Sequence, residues 1–452
     1  MSRVIVGKSA SDELDWFRKG LLYQIFPDRM AKLNQTDQSL LTSWTDLPTR
    51  ENFFGGNFKG IEEKLDYIST LATANVYMTP IFRAPANHRY DTEDYLAIEP
   101  MLGSENDFKD LIESASFRGV GIILDGVFNH CGETFGPFVK AIEGDANSRL
   151  WFHFEDRGNE YQTCGGAQFM PKINTSNAEV VAYFEKVMKK WDSFGIRGWR
   201  LDVPWKNDVN FWKKLQSLTQ DLNSSGLWIA EAWAQWQFAS EFNSIMNYHA
   251  RNRLLDLVHL HHADAEDFFV DLGQWCATRN DPSLILNVVG SHDTTRLINM
   301  CGGNAISAQI ILALNSFIPG VPMLYYGDEI GMEGENDPDC RRTFPTKLTL
   351  SQEAFLNVVR PVFNLRGLHT SLSHGDLQLE SARNHAFIFS RNTDGCRILV
   401  AGNTSERIER FNFEASSDWT IIAGHIEIGE GEVLIHPNTL VYQLAPGCSC
   451  KM

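Results

Sequence analysis

Acidic side chains close several of the apolar runs in this 452-residue chain. The run 120–124 ends at Asp125, with Asn129 and His130 just beyond it. The run 198–203 carries Arg200 and Asp202. The run 227–230 is followed by Glu231 and Trp233, and the run 284–289 by His292 and Asp293. Two carboxyl groups on either side of an acetal bond suit its cleavage, which builds positive charge on a sugar ring and negative charge on the leaving oxygen. One acid must hold a proton near neutral pH, so it belongs in a dry or acid-crowded place. The other must be ionised. Arg200 lies two residues before Asp202 and so on the same strand face, where its charge favours the carboxylate. Taken singly, each residue has a structural reading too. A strand-end Asp caps a helix, an Arg–Asp pair is a common internal tie, and a lone His is usually just hydrogen-bonded. Four strand ends with such residues on one rim turn the balance toward a site.

Such a rim requires a barrel, and the rest of the chain predicts one. Ile61, Leu65, Ile68 and Leu71 fall on one helical face and precede a strand at 75–82. Phe108, Leu111, Ile112 and Ala115 repeat the helical spacing, with Gly119 as a stop before the strand at 120–124. Asn177 caps a helix carrying Val180, Val181, Phe184, Met188 and Trp191, and Gly195 closes it. With strands at 21–26, 198–203, 227–230, 244–247, 284–289 and 321–326 the count reaches eight. Eight strand–helix units imply a (β/α)8 TIM barrel, whose polar strand ends line the site at one mouth. A doubly wound open sheet is the competing fold, but no glycine-rich phosphate loop follows any strand. The rhythm breaks twice. The connection from His130 to Asn174 is too long for an ordinary loop. After about Ser373, strands at 386–390, 397–401, 419–422 and 440–444 predict an antiparallel β-sandwich. The expected division is barrel 1–130, inserted subdomain 131–175, barrel 176–372 and C-terminal β domain 373–452.

Composition excludes some classes. The formal charge of −17 repels phosphate backbones, so no nucleic-acid partner is expected. No apolar run approaches the roughly 18 residues of a membrane span, and the start does not read as a signal peptide. The eight cysteines form no CxxC pair, so no zinc or thioredoxin-like pattern is present. Cys448 and Cys450 lie near the chain end without a metal-ligand spacing. Reduced thiols in a cytoplasmic protein are the expectation.

Several of these segments are similar to those of a known family. YQIFPDR at 23–29, HRYDTEDY at 88–95, DGVFNH at 125–130, GWRLDV at 198–203, EAW at 231–233, GSHDTTR at 290–296 and GVPMLYYGDE at 320–329 stand in the order seen in the α-amylase superfamily, glycoside hydrolase family 13. The resemblance runs from Tyr23 to about the C-terminus. It implies a covalent, retaining mechanism: Asp202 as nucleophile, Glu231 as acid and then base, and Asp293 holding the sugar hydroxyls. It further implies that Arg200 tunes Asp202, that His130 and His292 hydrogen-bond the same sugar, that Tyr90 stacks on it, and that Asp125 and Asn129 support these groups. MPKIN at 170–174 and DPDCR at 337–341 resemble the neopullulanase, cyclomaltodextrinase and maltogenic amylase subgroup, which implies sugar contacts for Asp337 and Arg341. His88 and Trp233 belong to the same expected sugar-binding surface. No cofactor is required on this reading.

Three departures qualify the resemblance. That subgroup carries an additional N-terminal β domain that aids dimerisation, whereas the first barrel strand here begins near Leu21, so monomer and homo-oligomer both stay open. After the nucleophile the chain reads VPWK at 203–206 rather than the subgroup's VANE. Trp205 there either stacks on a sugar or merely packs. The acidic calcium-binding run common after FPDR is replaced by MAKLN at 30–34, so calcium is not expected, although acidic chains offer oxygen ligands freely. The implied substrates are small α-glucans such as cyclodextrins, maltooligosaccharides or pullulan, with mainly α-1,4 and some α-1,6 cleavage. An α-glucan transglycosylase or sugar isomerase of the same superfamily shares the first covalent step. A non-catalytic carbohydrate-binding protein is the alternative from a different class, against which the intact acidic trio argues.

Overall fold

The computed structural model describes residues 3–7, 14–33, 41–155, 158–219, 226–233, 241–445 and 448; Asn34 and Cys450 lie outside them. Eight parallel strands close into a barrel: Leu21–Ile25, Thr73–Met78, Gly121–Gly126, Gly198–Leu201, Leu227–Ala230, Ser244–Asn247, Leu286–Val288 and Val321–Tyr325. Their neighbours follow chain order, and the last pairs with the first through Met323 opposite Leu22. The strands are apolar runs with almost every residue buried, as a parallel sheet covered on both faces demands. The interior layer includes Leu22, Tyr77, Ile123, Ile229, Met246, Leu286 and Met323, so the barrel is packed rather than hollow.

The helices form where the spacing predicts them. Asn177 accepts hydrogen bonds from the backbone N–H groups of Glu179 and Val180 to start Ala178–Asp192, and Gly195 takes φ +90° just beyond its end. Glu105–Phe117 begins with a reciprocal cap between Ser104 and Asp107 and runs into Gly119 at φ +75°. The strand predicted at 284–289 is shorter. Asp281 caps a 3-10 turn, Pro282–Leu284, whose proline lacks the N–H a ladder needs. The strand predicted at 75–82 ends at Met78, and Phe82–Arg83 pairs separately with Asp94–Ile98.

Beyond the third barrel strand, two short helices, Gly136–Ile142 and Ala146–Arg149, precede a two-stranded ribbon of Thr163–Cys164 and Ala167–Pro171. The C-terminal unit has two antiparallel sheets. One contains Asp376–Arg383, Ala386–Thr393, Cys396–Asn403, Thr439–Leu444 and Thr420–Ala423; the other contains Glu409–Asn412, Glu432–Ile435 and Ile426–Gly429. Ala386, Ile388, Leu399, Ala401, Phe411, Val433, Ile435 and Val441 fill the space between them.

Two expectations change. The segment Arg3–Val6, assigned from sequence to the barrel, pairs antiparallel with Asp376–Arg383 and forms the edge of the large C-terminal sheet. The expected reduced thiols give way at one pair, because Cys396 is disulfide-bonded to Cys448. Ala445 donates its N–H to the Arg397 carbonyl, which brings the last segment beside the strand that starts at Cys396. Among the described residues no helix is long and apolar enough to cross a membrane.

Candidate active site

All the strand-end residues singled out from the sequence meet at one mouth of the barrel. Arg200 sits at the centre, buried, and pairs with three carboxylates. Its Nη1 lies 2.9 Å from Asp125 Oδ1 and 3.1 Å from Asp202 Oδ1, and its Nη2 lies 2.9 Å from Glu231 Oε2. One guanidinium cannot neutralise three carboxylates, so the cluster favours retaining a proton. Burial, then the neighbouring Glu231 carboxylate, push the Asp202 carboxyl well above its usual range, with Arg200 opposing.

Glu231 is also held from elsewhere. It accepts hydrogen bonds from Val203 N at 3.0 Å and from the Trp233 indole at 2.9 Å. Val203 takes φ +36° and ψ +49° to present that N–H. This is the left-handed region, costly for a β-branched side chain and common where a site over-determines its backbone. The Trp233 ring stacks flat on Tyr248, with centroids 3.7 Å apart and planes 7° from parallel. Its outer surface stays exposed.

A chain of hydrogen bonds crosses the floor. Gln24 Nε2 donates to His292 Nδ1 at 2.8 Å, which leaves the proton on Nε2 to donate to the Tyr90 hydroxyl at 2.7 Å. Tyr90 in turn donates to Asp125 Oδ2 at 2.8 Å, and Tyr77 to the same oxygen at 2.5 Å. Burial, then Arg341, hold His292 well below the usual imidazole range. His88 is held down to about 4 and His130 to about 3, in both cases first by burial. All three imidazoles are neutral hydrogen-bonding groups at neutral pH. His130 Nε2 is buried without a hydrogen-bond partner, the kind of vacancy a sugar hydroxyl fills.

The far side is set by Arg341. It donates from Nε to the His292 carbonyl at 2.9 Å, approaches Asp293 Oδ1 at 3.4 Å through Nη2, and pairs with Asp337 at 2.9 Å through Nη1. Asp293, with a side chain 34% exposed, faces an open cavity of about 790 Å³. That cavity is lined by His88, Tyr90, His130, Asp202, Glu231, Trp233, Asp293, Asp337 and Arg341, among others. Asn129 lies behind this wall, buried, with its amide 3.2 Å from His130 Nδ1.

Trp205 is not brought into the cavity wall; it packs beside Lys206, whose Nζ lies 5.3 Å from its ring centre. Sequence reasoning missed Phe169, half exposed in the wall, although it adjoins the MPKIN segment. That segment has a structural task as well. Ile173 donates its N–H to the Asn129 carbonyl, and His130 bridges to Lys172, so the insertion pins the His130 loop. Arg50, 3.7 Å from Asp337, and Tyr248 beneath Trp233 were also missed, since neither stands near a strand-end acid in sequence.

A closed parallel barrel with a buried carboxylate cluster, an arginine bridging it, and an open polar cavity above defines a glycoside hydrolase. The chain belongs to the α-amylase family: the family's "Alpha amylase, catalytic domain" matches residues 24–163 and 148–360. It is 33% identical to a cyclomaltodextrinase from Bacillus sp over 411 residues, covering 86% of this chain and 74% of that protein. It is 34% identical to neopullulanase 2 from Thermoactinomyces vulgaris over 393 residues, covering 83% and 67%. Among solved structures it is similar to the cyclic α-maltosyl-(1→6)-maltose hydrolase from Arthrobacter globiformis, with TM-score 0.86, 30% identity, and coverage of 95% of this chain and 99% of that one.

Proposed function

We propose that the chain is a retaining hydrolase of short or cyclic α-glucans, cutting mainly α-1,4 bonds through a covalent glycosyl-enzyme. The observation that carries this reading is Arg200 holding Asp202 and Glu231 through adjacent nitrogens while both line one cavity with Asp293. Retention needs the two carboxyl groups about 5–5.5 Å apart, and sharing one guanidinium keeps them close.

Asp202 attacks the anomeric carbon as Glu231 gives its proton to the departing oxygen. At the transition state, positive charge grows beside Asp202 and negative charge beside Glu231, so ionised Asp202 and protonated Glu231 are the matching pair. Water then enters, Glu231 takes its proton, and the ester to Asp202 breaks. Asp293 and the unpartnered His130 Nε2 hold the sugar's hydroxyls, His292 orients Tyr90 beside them, and Trp233 offers an aromatic face in the cavity wall.

The names of the similar proteins support cyclic α-glucans and pullulan as the substrate class. A product panel on γ-cyclodextrin, pullulan, maltotriose and starch tests the reading, with glucose as added acceptor. Fast release of glucose and maltose from the cyclodextrin is expected. Products elongated on the acceptor in preference to hydrolysis would replace it with transfer. Fresh product followed by proton NMR should show the α-anomer first; the β-anomer first would exclude retention.

A further inference from the structure

Far from the cavity, two strands of the small C-terminal sheet place three metal-binding side chains together. Ile426–Gly429 and Glu432–Ile435 pair antiparallel, with Ile426 opposite Ile435. Ile426 and Ile428 pack toward the domain core alongside buried Val433 and Ile435. Side chains alternate along a strand, so the residues between them face solvent. His425 and Glu427 share that outer face two residues apart. His436, beyond the other strand, lies opposite His425 and donates its N–H to the His425 carbonyl at 3.1 Å.

The side chains converge accordingly. His436 Nε2 is 2.6 Å and His425 Nε2 3.7 Å from the same oxygen, Glu427 Oε1. The imidazole centroids are 4.7 Å apart, and the ligand atoms of all three residues lie within 4.8 Å of one another. An ion pair would need only His436 and Glu427; the second imidazole completes a three-donor set. The backbone beneath is fixed. Thr439 Oγ1 accepts from His425 N at 2.9 Å and donates to the His425 carbonyl at 3.0 Å. Gly424, at φ +75°, permits this approach, since a Cβ there would meet Thr439 Oγ1 at 2.2 Å.

We infer that His425, Glu427 and His436 form a binding site for a divalent transition-metal ion of the zinc class. Two imidazoles and one carboxylate suit zinc, cobalt, nickel or copper, whereas calcium and magnesium prefer all-oxygen sets. Three protein ligands leave one position for water or an outside ligand. A bound ion would cross-link the two strands, and the chain's net charge of −17 draws cations toward the surface.

The test is calorimetric titration of Zn2+ into the full chain, stripped with a chelator and kept in a thiol-free reductant. One equivalent at micromolar affinity is expected, with the melting temperature raised by the ion. His425→Ala and His436→Ala should each weaken binding at least about tenfold, and Glu427→Gln less. These residues lie outside the active site, so metal-free hydrolysis by each variant should match the parent and report a sound fold. Absence of binding tighter than about 1 mM would overturn the proposal. So would unchanged affinity in both histidine variants with loss in Cys396→Ser or Cys448→Ser, which would put the ion at the cluster where both sulphurs lie 3.6 Å from His369 Nδ1.

Discussion

Arg200 gives the acidic residues their distinct tasks, because a lone guanidinium serves Asp125, Asp202 and Glu231 together. Asp202→Asn keeps the size of the side chain and leaves Arg200 paired with the other two acids. Turnover on a maltooligosaccharide should fall by several orders of magnitude, as removal of a covalent nucleophile requires, while far-ultraviolet circular dichroism stays unchanged. Near-parental turnover would remove Asp202 from the covalent step. His130 makes a different kind of contribution. With its imidazole held down to about 3, it is neutral throughout the working range. His130→Ala should therefore cost about 10- to 100-fold in kcat/KM, the range of one or two lost hydrogen bonds, without changing the shape of the pH–rate profile above pH 5. A profile that loses a limb in the variant would mean that His130 titrates in the mechanism. These residues were legible in the sequence because acids and histidines just past apolar runs stand out from their neighbours. Trp205 was not, since an aromatic beside a nucleophile looks the same whether its ring faces the cavity or the protein.

At the scale of elements, the barrel was readable wherever strands are continuous apolar runs and helices begin with a capping side chain and end at glycine. In the C-terminal domain the strands missed were Asp376–Arg383, Glu409–Asn412, Ile426–Gly429 and Glu432–Ile435. They alternate buried and solvent-facing residues over few positions, as in Leu377 and Leu379 between Asp376, Gln378 and Glu380, so charge masks the period. The last barrel strand shows what such elements must support. Just beyond it, Glu329 is buried and accepts from Tyr23, Tyr67 and Gly327 N. Its carboxyl is pushed up to about 7, chiefly by burial. The folded state then binds this proton more tightly than the unfolded chain, whose ordinary value is 4.5. The stability it lends is full below about pH 4.5 and is lost as pH rises to about 7. Glu329→Gln carries no titrating proton, so melting temperatures measured from pH 5 to 8 should fall less steeply in that variant than in the parent. Parallel curves would show that Glu329 stays ionised in the fold.

For the molecule as a whole, the unexpected feature is that the first strand does not serve the barrel alone. Arg3–Val6 extends the large C-terminal sheet through Asp376–Arg383, while Val6 joins the core shared with the barrel. Four residues reading RVIV are too few to show from sequence which sheet they join, since the partner strand is more than 370 positions away. The same strand lies against the barrel helix Ala265–Cys276 at Gly273, where an added Cβ would come within 2.9 Å of Ile5 Cγ2 and 3.2 Å of the Ile5 carbonyl. The close approach therefore depends on the missing side chain. Gly273→Val places two further methyl groups into that contact and must push the strand off the helix, at a cost of about 1–3 kcal/mol, as for other overpacked sites. The melting temperature should drop by a few degrees, and kcat/KM measured well below that temperature should be unchanged, because the cavity lies at the barrel mouth with no residue of this strand in its wall. Gly273→Ala adds only the first carbon and gains helix propensity, so its melting temperature should lie above that of the valine variant. If valine leaves the melting temperature untouched, the strand is not seated on the helix, and the link it makes between barrel and C-terminal sheet carries no stability.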